Sequence, residues 1–164
     1  MLAPPASRSS LALRNARLLA LLVPVALLGG ALLSQYVGGL VPCEMCWWQR
    51  YPHIAAILLA ALAFTAPTAS GRTRAFVALA AIAIAVSGLI GVYHVGVEQH
   101  WWEGPTQCTG NGARTLDEIL HTKVVMCDQV QWSLFGLSLA AFNAIFSIGG
   151  AIAIGALLAK GKRA

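Results

Sequence analysis

Residues 18–66 read LLALLVPVALLGGALLSQYV (18–37), GGLVPCEMC (38–46) and WWQRYPHIAAILLAALAFTA (47–66). Each of the two outer stretches is apolar and close to the roughly 20 residues that a helix needs to cross a bilayer. Two glycines and a proline interrupt the short connection between them, where helical structure is disfavoured. The pattern predicts two membrane helices joined by a tight turn, with a C-x-x-C motif at the end of that turn.

Two further apolar stretches, 75–97 and 132–159, are also long enough to cross a membrane. The chain is 58% hydrophobic and 10% charged, whereas about a quarter of the residues of a soluble domain are charged. The sequence therefore predicts an all-α membrane protein, a four-transmembrane-helix bundle in a single membrane domain (1–164). The first stretch is interpreted as a retained anchor, because 35–38 is a poor signal-peptide cleavage site.

Eight of the eleven basic residues lie in the segments that would share one face of this bundle. These are Arg8, Arg14, Arg17, Arg72, Arg74, Lys160, Lys162 and Arg163. Because such residues mark the cytoplasmic side, both termini are predicted to be cytoplasmic and all four cysteines to face the other side. In a bacterium this is the inner membrane, with the cysteines in the periplasm, where disulfides persist. The net charge of +5 is thus a topology signal, and nucleic-acid binding is not predicted.

The long polar loop, 98–131, holds the second pair of cysteines, Cys108 and Cys127. Turn residues open this loop, and 115–125 has the apolar spacing of a short helix lying on the membrane surface. A disulfide between the two cysteines would close roughly 20 residues and stabilise the fold by about 3 kcal/mol. The pair is therefore either a structural staple or an exchanging disulfide. Glu98 and Asp128 are interpreted as solvated interface charges.

The first pair, Cys43 and Cys46, is too closely spaced to be a useful staple, so the motif indicates redox chemistry or metal binding. A thiol at a helix N-terminus is favoured as thiolate by the helix dipole. Arg50 lies four residues after Cys46, on the same helical face. Zinc would need two more ligands, and no second C-x-x-C or close histidine pair is present, so no metal site is predicted. An inert disulfide remains an alternative.

Three motifs together resemble the DsbB family of membrane oxidoreductases. They are PCEMC with the following arginine (42–46 and Arg50), YHVGVE (93–98) and CDQVQWSLFGL (127–137). The combination is specific, whereas C-x-x-C alone is common.

This resemblance implies that the protein oxidises a periplasmic thioredoxin-fold dithiol protein (DsbA-like) and passes the electrons to a membrane quinone, ubiquinone or menaquinone. It implies that Cys46 is the quinone-facing thiolate and Cys43 its disulfide partner. Cys108 would form the mixed disulfide with the partner, and Cys127 would then attack the first pair. Arg50 would bind the quinone head group, with His94 beside it.

Other functions remain possible at the level of sequence. A quinone-linked oxidoreductase similar to vitamin K epoxide reductase would also place a C-x-x-C at the membrane surface. A non-catalytic tetraspan protein with a disulfide-stapled loop, or a metal carrier, would contain some of the same residues. Among the other histidines, His53 and His100 are the weakest candidates for a quinone contact.

Overall fold

A computed structural model describes residues 8–105 and 125–161, which form four helices and one short hairpin. The elements, in chain order, are α1 (Arg8–Tyr36), α2 (Glu44–Ala63), α3 (Gly71–Glu98), β1 (Ser133–Leu134), β2 (Leu137–Ser138) and α4 (Leu139–Lys160). Cys108 and most of the predicted surface helix 115–125 lie outside the described residues, so those predictions stay as they are.

Three of the helices, α1, α3 and α4, are long and apolar enough to cross a membrane. The helix α2 does not join them by this criterion, because its first half carries the polar residues of WWQRYPH (47–53). The four-span count, the cytoplasmic termini and the outward loop therefore remain predictions.

Small residues form the centre of the bundle, where α3 packs against both α2 and α4. The fully buried positions are mostly alanines, among them Ala20, Ala56, Ala60 and Ala80. At Gly91 a Cβ atom would lie only 3.1 Å from the backbone of α4, so this glycine allows a close approach of α3 and α4. Because the helices are so close, short polar side chains on facing helices can hydrogen-bond to each other.

The last helix begins at Leu139, so the predicted start of the fourth span at Trp132 is wrong. The intervening residues form a hairpin in which Ser133 pairs with Ser138. Its turn residues, Phe135 and Gly136, have φ of 52° and 78°, the left-handed pair that a tight hairpin turn requires. The side chain of Ser138 then caps α4 by accepting a hydrogen bond from the N–H of Ala141. The other boundaries also shift, since α1 starts at Arg8 and α2 at Glu44.

Candidate functional site

The C-x-x-C motif forms the first turn of α2. Cys43 is the N-cap residue, and its sulfur accepts a hydrogen bond from the backbone N–H of Cys46 at 3.2 Å. The two Sγ atoms lie 2.7 Å apart, so a bond between them requires little movement. Cys43 is 2% exposed. The capping geometry therefore holds the two sulfurs together in a buried site at a helix N-terminus.

Cys127 joins this pair from the far end of the long loop. Its side chain is hydrogen-bonded to that of Cys43 and accepts hydrogen bonds from the backbone N–H groups of Glu44 and Met45. Cys127 is 4% exposed and packs in an apolar cluster with Met45 and Val97. In this structure Cys43, Cys46 and Cys127 form no disulfide with one another. One sulfur of the second pair thus meets the first pair at Cys43.

The hydrogen bond between Cys43 and Cys127 shifts the pKa values of the two thiols in opposite directions. The bond from the Cys43 thiol lowers the pKa of Cys127 to about 6, with further help from the N–H groups of α2. The same bond is the main reason that the pKa of Cys43 is raised, and burial adds to it. In the reduced state, therefore, Cys43 keeps its proton and Cys127 carries the negative charge that makes it a nucleophile.

In the fully reduced protein, the rate of alkylation of Cys127 is expected to reach half its maximum near pH 6, because only the thiolate reacts and it persists above that pH. An ordinary thiol would show its midpoint near pH 8.5. Iodoacetamide labelling across pH, quantified by mass spectrometry of the Cys127 peptide, measures this. The Cys43→Ala variant is the control, since losing the donor should move the midpoint upward. An unshifted midpoint in this variant would contradict the hydrogen bond.

His94 lies against the thiols from α3. Its Nε2 is 3.2 Å from the carbonyl oxygen of Cys127 and 3.6 Å from the Sγ of Cys43, while its Nδ1 is 2.8 Å from Nε2 of Gln49. Glu98 lies 4.0 Å from Nε2, and its side chain is only 6% exposed. Ser138 donates a hydrogen bond to Glu98. The prediction that Glu98 is a solvated charge is therefore wrong: the carboxyl is covered by the start of α4.

The donor atoms of Cys43, Cys46 and His94 all lie within 4.8 Å of one another. Thiolate and imidazole are the ligands that zinc prefers in proteins, so the sequence argument that further ligands are lacking was incomplete. His94 could not be found by spacing, because it comes from another helix. That the site holds no metal remains a prediction.

Arg50 is 6% exposed and points its guanidinium into the bundle towards α1. Its Nη1 donates to Oε1 of Gln35 at 2.5 Å, and its Nη2 donates to the carbonyl oxygen of Ala31 at 3.2 Å. The guanidinium also lies 4.9 Å from the ring centroid of Trp47. Within the described part of the chain, no carboxylate forms an ion pair with it. This is a buried cation with neutral partners, and an electron-rich ligand would complement it.

A cavity of about 290 Å³ lies beside the thiols and the guanidinium. Its walls are largely apolar and come from α1 and α4, including Leu27, Leu28, Leu139, Phe142 and Phe146. Cys43, Cys46, Arg50 and His94 all line it, whereas Cys127 does not. Four of the six predicted site residues thus share one cavity, and Cys127 contacts it through Cys43.

Sequence reasoning missed a buried polar network that lines the same cavity, formed by Gln49, His53 and Asn143. Asn143 donates to Oε1 of Gln49 at 2.7 Å and contacts Nε2 of His53 through Oδ1 at 2.8 Å. The available signal was the presence of these polar residues within apolar helices, which usually marks a functional site in membrane proteins.

Comparison with known proteins gives the family. The family model for disulfide bond formation protein DsbB matches residues 13–157, most of the chain. The chain belongs to the DsbB family. Disulfide bond formation protein B of Verminephrobacter eiseniae is 36% identical over 163 residues, covering 90% of this chain and 88% of that relative. The protein of the same description from Chromohalobacter salexigens is 30% identical, covering 80% and 81% of the two chains. No solved structure matches significantly.

The resemblance inferred from the three motifs is therefore confirmed. Membership of the DsbB family, together with the apolar helices, makes this chain a multi-pass membrane protein and a disulfide oxidoreductase. Thiol chemistry at the cysteines of such a protein requires sulfurs that can meet, and the contact of Cys43 with both Cys46 and Cys127 provides that.

Proposed function

We propose that this DsbB-family protein oxidises a DsbA-like dithiol protein on the periplasmic face of the bacterial inner membrane and transfers the electrons to a membrane quinone. The observation that carries the proposal is the shared cavity: the two sulfurs of the C-x-x-C motif and the Arg50 guanidinium line one apolar space within the helix bundle. A site for a lipid-soluble electron acceptor needs apolar walls, a polar end and a redox-active group in reach.

The residues present fit a quinone ring. Flat apolar and aromatic side chains, such as Phe142 and Phe146, would cover a ring and the start of an isoprenoid tail. Arg50 has donors to spare beyond those used by Gln35 and Ala31, since a guanidinium carries five N–H groups. The guanidinium would donate a hydrogen bond to a quinone oxygen and stabilise the negative charge that develops there. Ubiquinone and menaquinone both satisfy this description.

The thiol transfers follow the contacts between the sulfurs. A thiolate of the partner protein attacks Cys108 in a Cys108–Cys127 disulfide, and Cys127 leaves as a thiolate. Cys127 then attacks the sulfur it contacts, Cys43, and the Cys43–Cys46 bond breaks. The second thiol of the partner resolves the mixed disulfide at Cys108, so the partner leaves oxidised and two electrons stay on this chain. Each exchange forms one S–S bond and breaks one.

Cys46 is released as the thiolate that lines the cavity. Arg50, on the same face of α2 one turn further along, favours its charge by electrostatic attraction. A bound quinone supplies the capacity to take up two electrons and two protons. The hydrogen bond between His94 and Gln49 joins α3 to α2 beside the sulfurs. The carboxylate of Glu98 lies 4.0 Å from Nε2 of His94 and can accept a proton from it.

The contact between Cys43 and Cys127 favours this function over the stapled tetraspan protein. A purely structural Cys108–Cys127 disulfide would have no need to place Cys127 against a second reactive thiol. Family membership separates the chain from a vitamin K epoxide reductase-like protein.

Counting free thiols tests the proposed reaction. Addition of one equivalent of decylubiquinone to the fully reduced protein is expected to remove two of the four thiols: oxidation begins at Cys43 and Cys46, and the disulfide can pass to Cys127 by exchange. This quinone carries no ring hydrogen, which disfavours covalent addition of thiols. Alkylation followed by peptide mass spectrometry identifies the thiols lost. A Cys108→Ser control should also lose two of its three thiols. If all four thiols remained free with quinone present, the proposal would be wrong.

A further inference from the structure

His53 is a buried polar residue that the thiol chemistry leaves without a role. It lies on α2, one turn after Gln49, is 3% exposed, and lines the cavity together with Arg50. Its Nε2 is held by hydrogen bonds, whereas its Nδ1 is buried and has no hydrogen-bond partner among the described residues. A buried nitrogen without a partner is costly, so its retention beside a cavity indicates a ligand contact.

The hydrogen-bond network fixes which nitrogen of His53 carries the proton. Asn143 directs its Nδ2 to the carbonyl oxygen of Ser87 at 3.1 Å, which can only accept, so its Oδ1 faces His53 at 2.8 Å. The Ser87 hydroxyl donates to the carbonyl oxygen of Gln49 at 2.8 Å and can therefore only accept from His53. Because Nε2 faces two acceptors, it must be the N–H donor. In the neutral imidazole Nδ1 then holds a lone pair.

His94, the other histidine of the cavity, differs in this respect. Gln49 directs its Nε2 to the carbonyl oxygen of Met45 at 3.1 Å and donates from the same atom to Nδ1 of His94. The Nε2 of His94 consequently carries the proton and faces the carbonyl oxygen of Cys127. Both nitrogens of His94 are engaged within the protein. Of the two histidines that line the cavity, only His53 has a nitrogen left for a ligand.

We propose that His53 is a quinol-binding residue: its Nδ1 accepts a hydrogen bond from a ring hydroxyl of the reduced acceptor, while Arg50 donates to the oxygen at the other end. This inference rests on the proposed function and adds a second polar contact to it. A lone pair recognises a hydroxyl, which donates, and gives nothing to a quinone carbonyl, which only accepts. The neutral His53 therefore discriminates between the two redox forms of the ring.

The energetic consequence is a preference for the reduced ring. A tenfold tighter binding of quinol than of quinone raises the potential of the bound two-electron couple by about 30 mV. The cavity would thereby make its acceptor more oxidising than the same quinone in the lipid, and the gain favours the withdrawal of electrons from Cys46. Arg50 alone would favour the developing negative charge, whereas His53 favours the protonated product.

The test uses two redox-inert probes that share a ring and a tail: 4-decyloxyphenol, which has a hydroxyl, and 1-decyloxy-4-fluorobenzene, which has a fluorine of similar size in its place. Both are titrated into the full-length detergent-solubilised protein by calorimetry. The dissociation constant of the fluoro compound divided by that of the phenol is expected to fall about tenfold in His53→Gln. This factor is the contribution of one hydrogen bond to a buried acceptor. Glutamine at this position keeps a polar atom near Asn143 and removes the lone pair at Nδ1.

His53→Asn is the matched variant, because its short amide places an oxygen near the former Nδ1 and should restore much of the preference for the phenol. Thermal unfolding of each variant checks that the bundle is intact. An unchanged ratio in both variants, with decylubiquinone still bound as in the wild type, would overturn the role of His53 alone. Failure of the wild type to bind either probe or decylubiquinone would overturn the proposed quinone site together with this inference.

Discussion

Replacing Cys46 by serine is expected to reduce quinone reduction to background, a loss of at least roughly a thousandfold, because the thiolate is the reacting group and a hydroxyl cannot replace it. Cys46 lies in the cavity, and its sulfur is 2.7 Å from the sulfur that Cys127 contacts. In the proposed pathway it is the last sulfur before the acceptor. The loss is measured as the decrease in quinone absorbance with a reduced thioredoxin-fold dithiol protein as the donor.

The control for this experiment is Cys108→Ser. This change should stop oxidation of the partner protein, while a small dithiol such as dithiothreitol still reduces the Cys43–Cys46 bond and supports quinone reduction. The two variants thus separate the entry of electrons from their exit. Sustained quinone reduction by Cys46→Ser protein with dithiothreitol would contradict the role of Cys46.

Replacing Arg50 by glutamine is expected to weaken quinone binding by roughly 10- to 100-fold, since a hydrogen bond to a charged group contributes about 1.5–3 kcal/mol. The guanidinium is buried, and its partners Gln35 and Ala31 are neutral, so its charge is free to act on a ligand. Arg50→Lys should give an intermediate loss, because lysine keeps the charge but not the forked donor geometry. Quenching of tryptophan fluorescence by decylubiquinone gives the dissociation constants.

A matched control for the charge itself is Arg17→Gln. Arg17 lies on α1, where its guanidinium stacks 4.2 Å from the ring centroid of Phe64, and it does not line the cavity. The same substitution there should leave quinone affinity within about twofold, since a charge remote from the cavity has little effect on its ligand. Equal losses in the two variants would show that Arg50 acts through general stability and not through the ligand.

Much of the fold could be predicted from hydrophobic length. The stretch 75–97 falls inside α3, and 18–37 falls inside α1 except for its last residue, because about 20 apolar residues in a row most readily form a membrane helix. The start of α4 could not be predicted in this way. Residues 132–137 are also largely apolar, and hydropathy does not distinguish a helix from a hairpin when the run is this short.

The site shows the same division between local and distant contacts. Cys43, Cys46 and Arg50 lie within one helix, so spacing alone placed them on one face. The meeting of Cys127 with Cys43 depends on how the residues around Cys127 pack against α2, and no sequence pattern encodes it. Glu98 was misread because its burial is due to Ser138, forty residues away along the chain.

His53 and Asn143 illustrate why residue type alone is a weak guide. Ninety residues separate them, and Gly91 leaves the space in which Asn143 packs against α3. A lone histidine in an apolar helix was therefore ranked low as a quinone contact. Its importance depends on which of its two nitrogens is left without a partner, and that is a property of the packed bundle.

In the proposed pathway, electrons pass from Cys127 to Cys43 and then to Cys46. The most direct test is the disulfide map of the Cys46→Ser protein. The protein is oxidised until it holds one disulfide, exchange is stopped with acid, and the free thiols are then alkylated. We expect a peptide linking Cys43 to Cys127, with Cys108 alkylated, because Cys43 can then exchange with Cys127 but cannot close on residue 46. If only the Cys108–Cys127 linkage were found, with Cys43 always alkylated, Cys127 would not pass its electrons to Cys43.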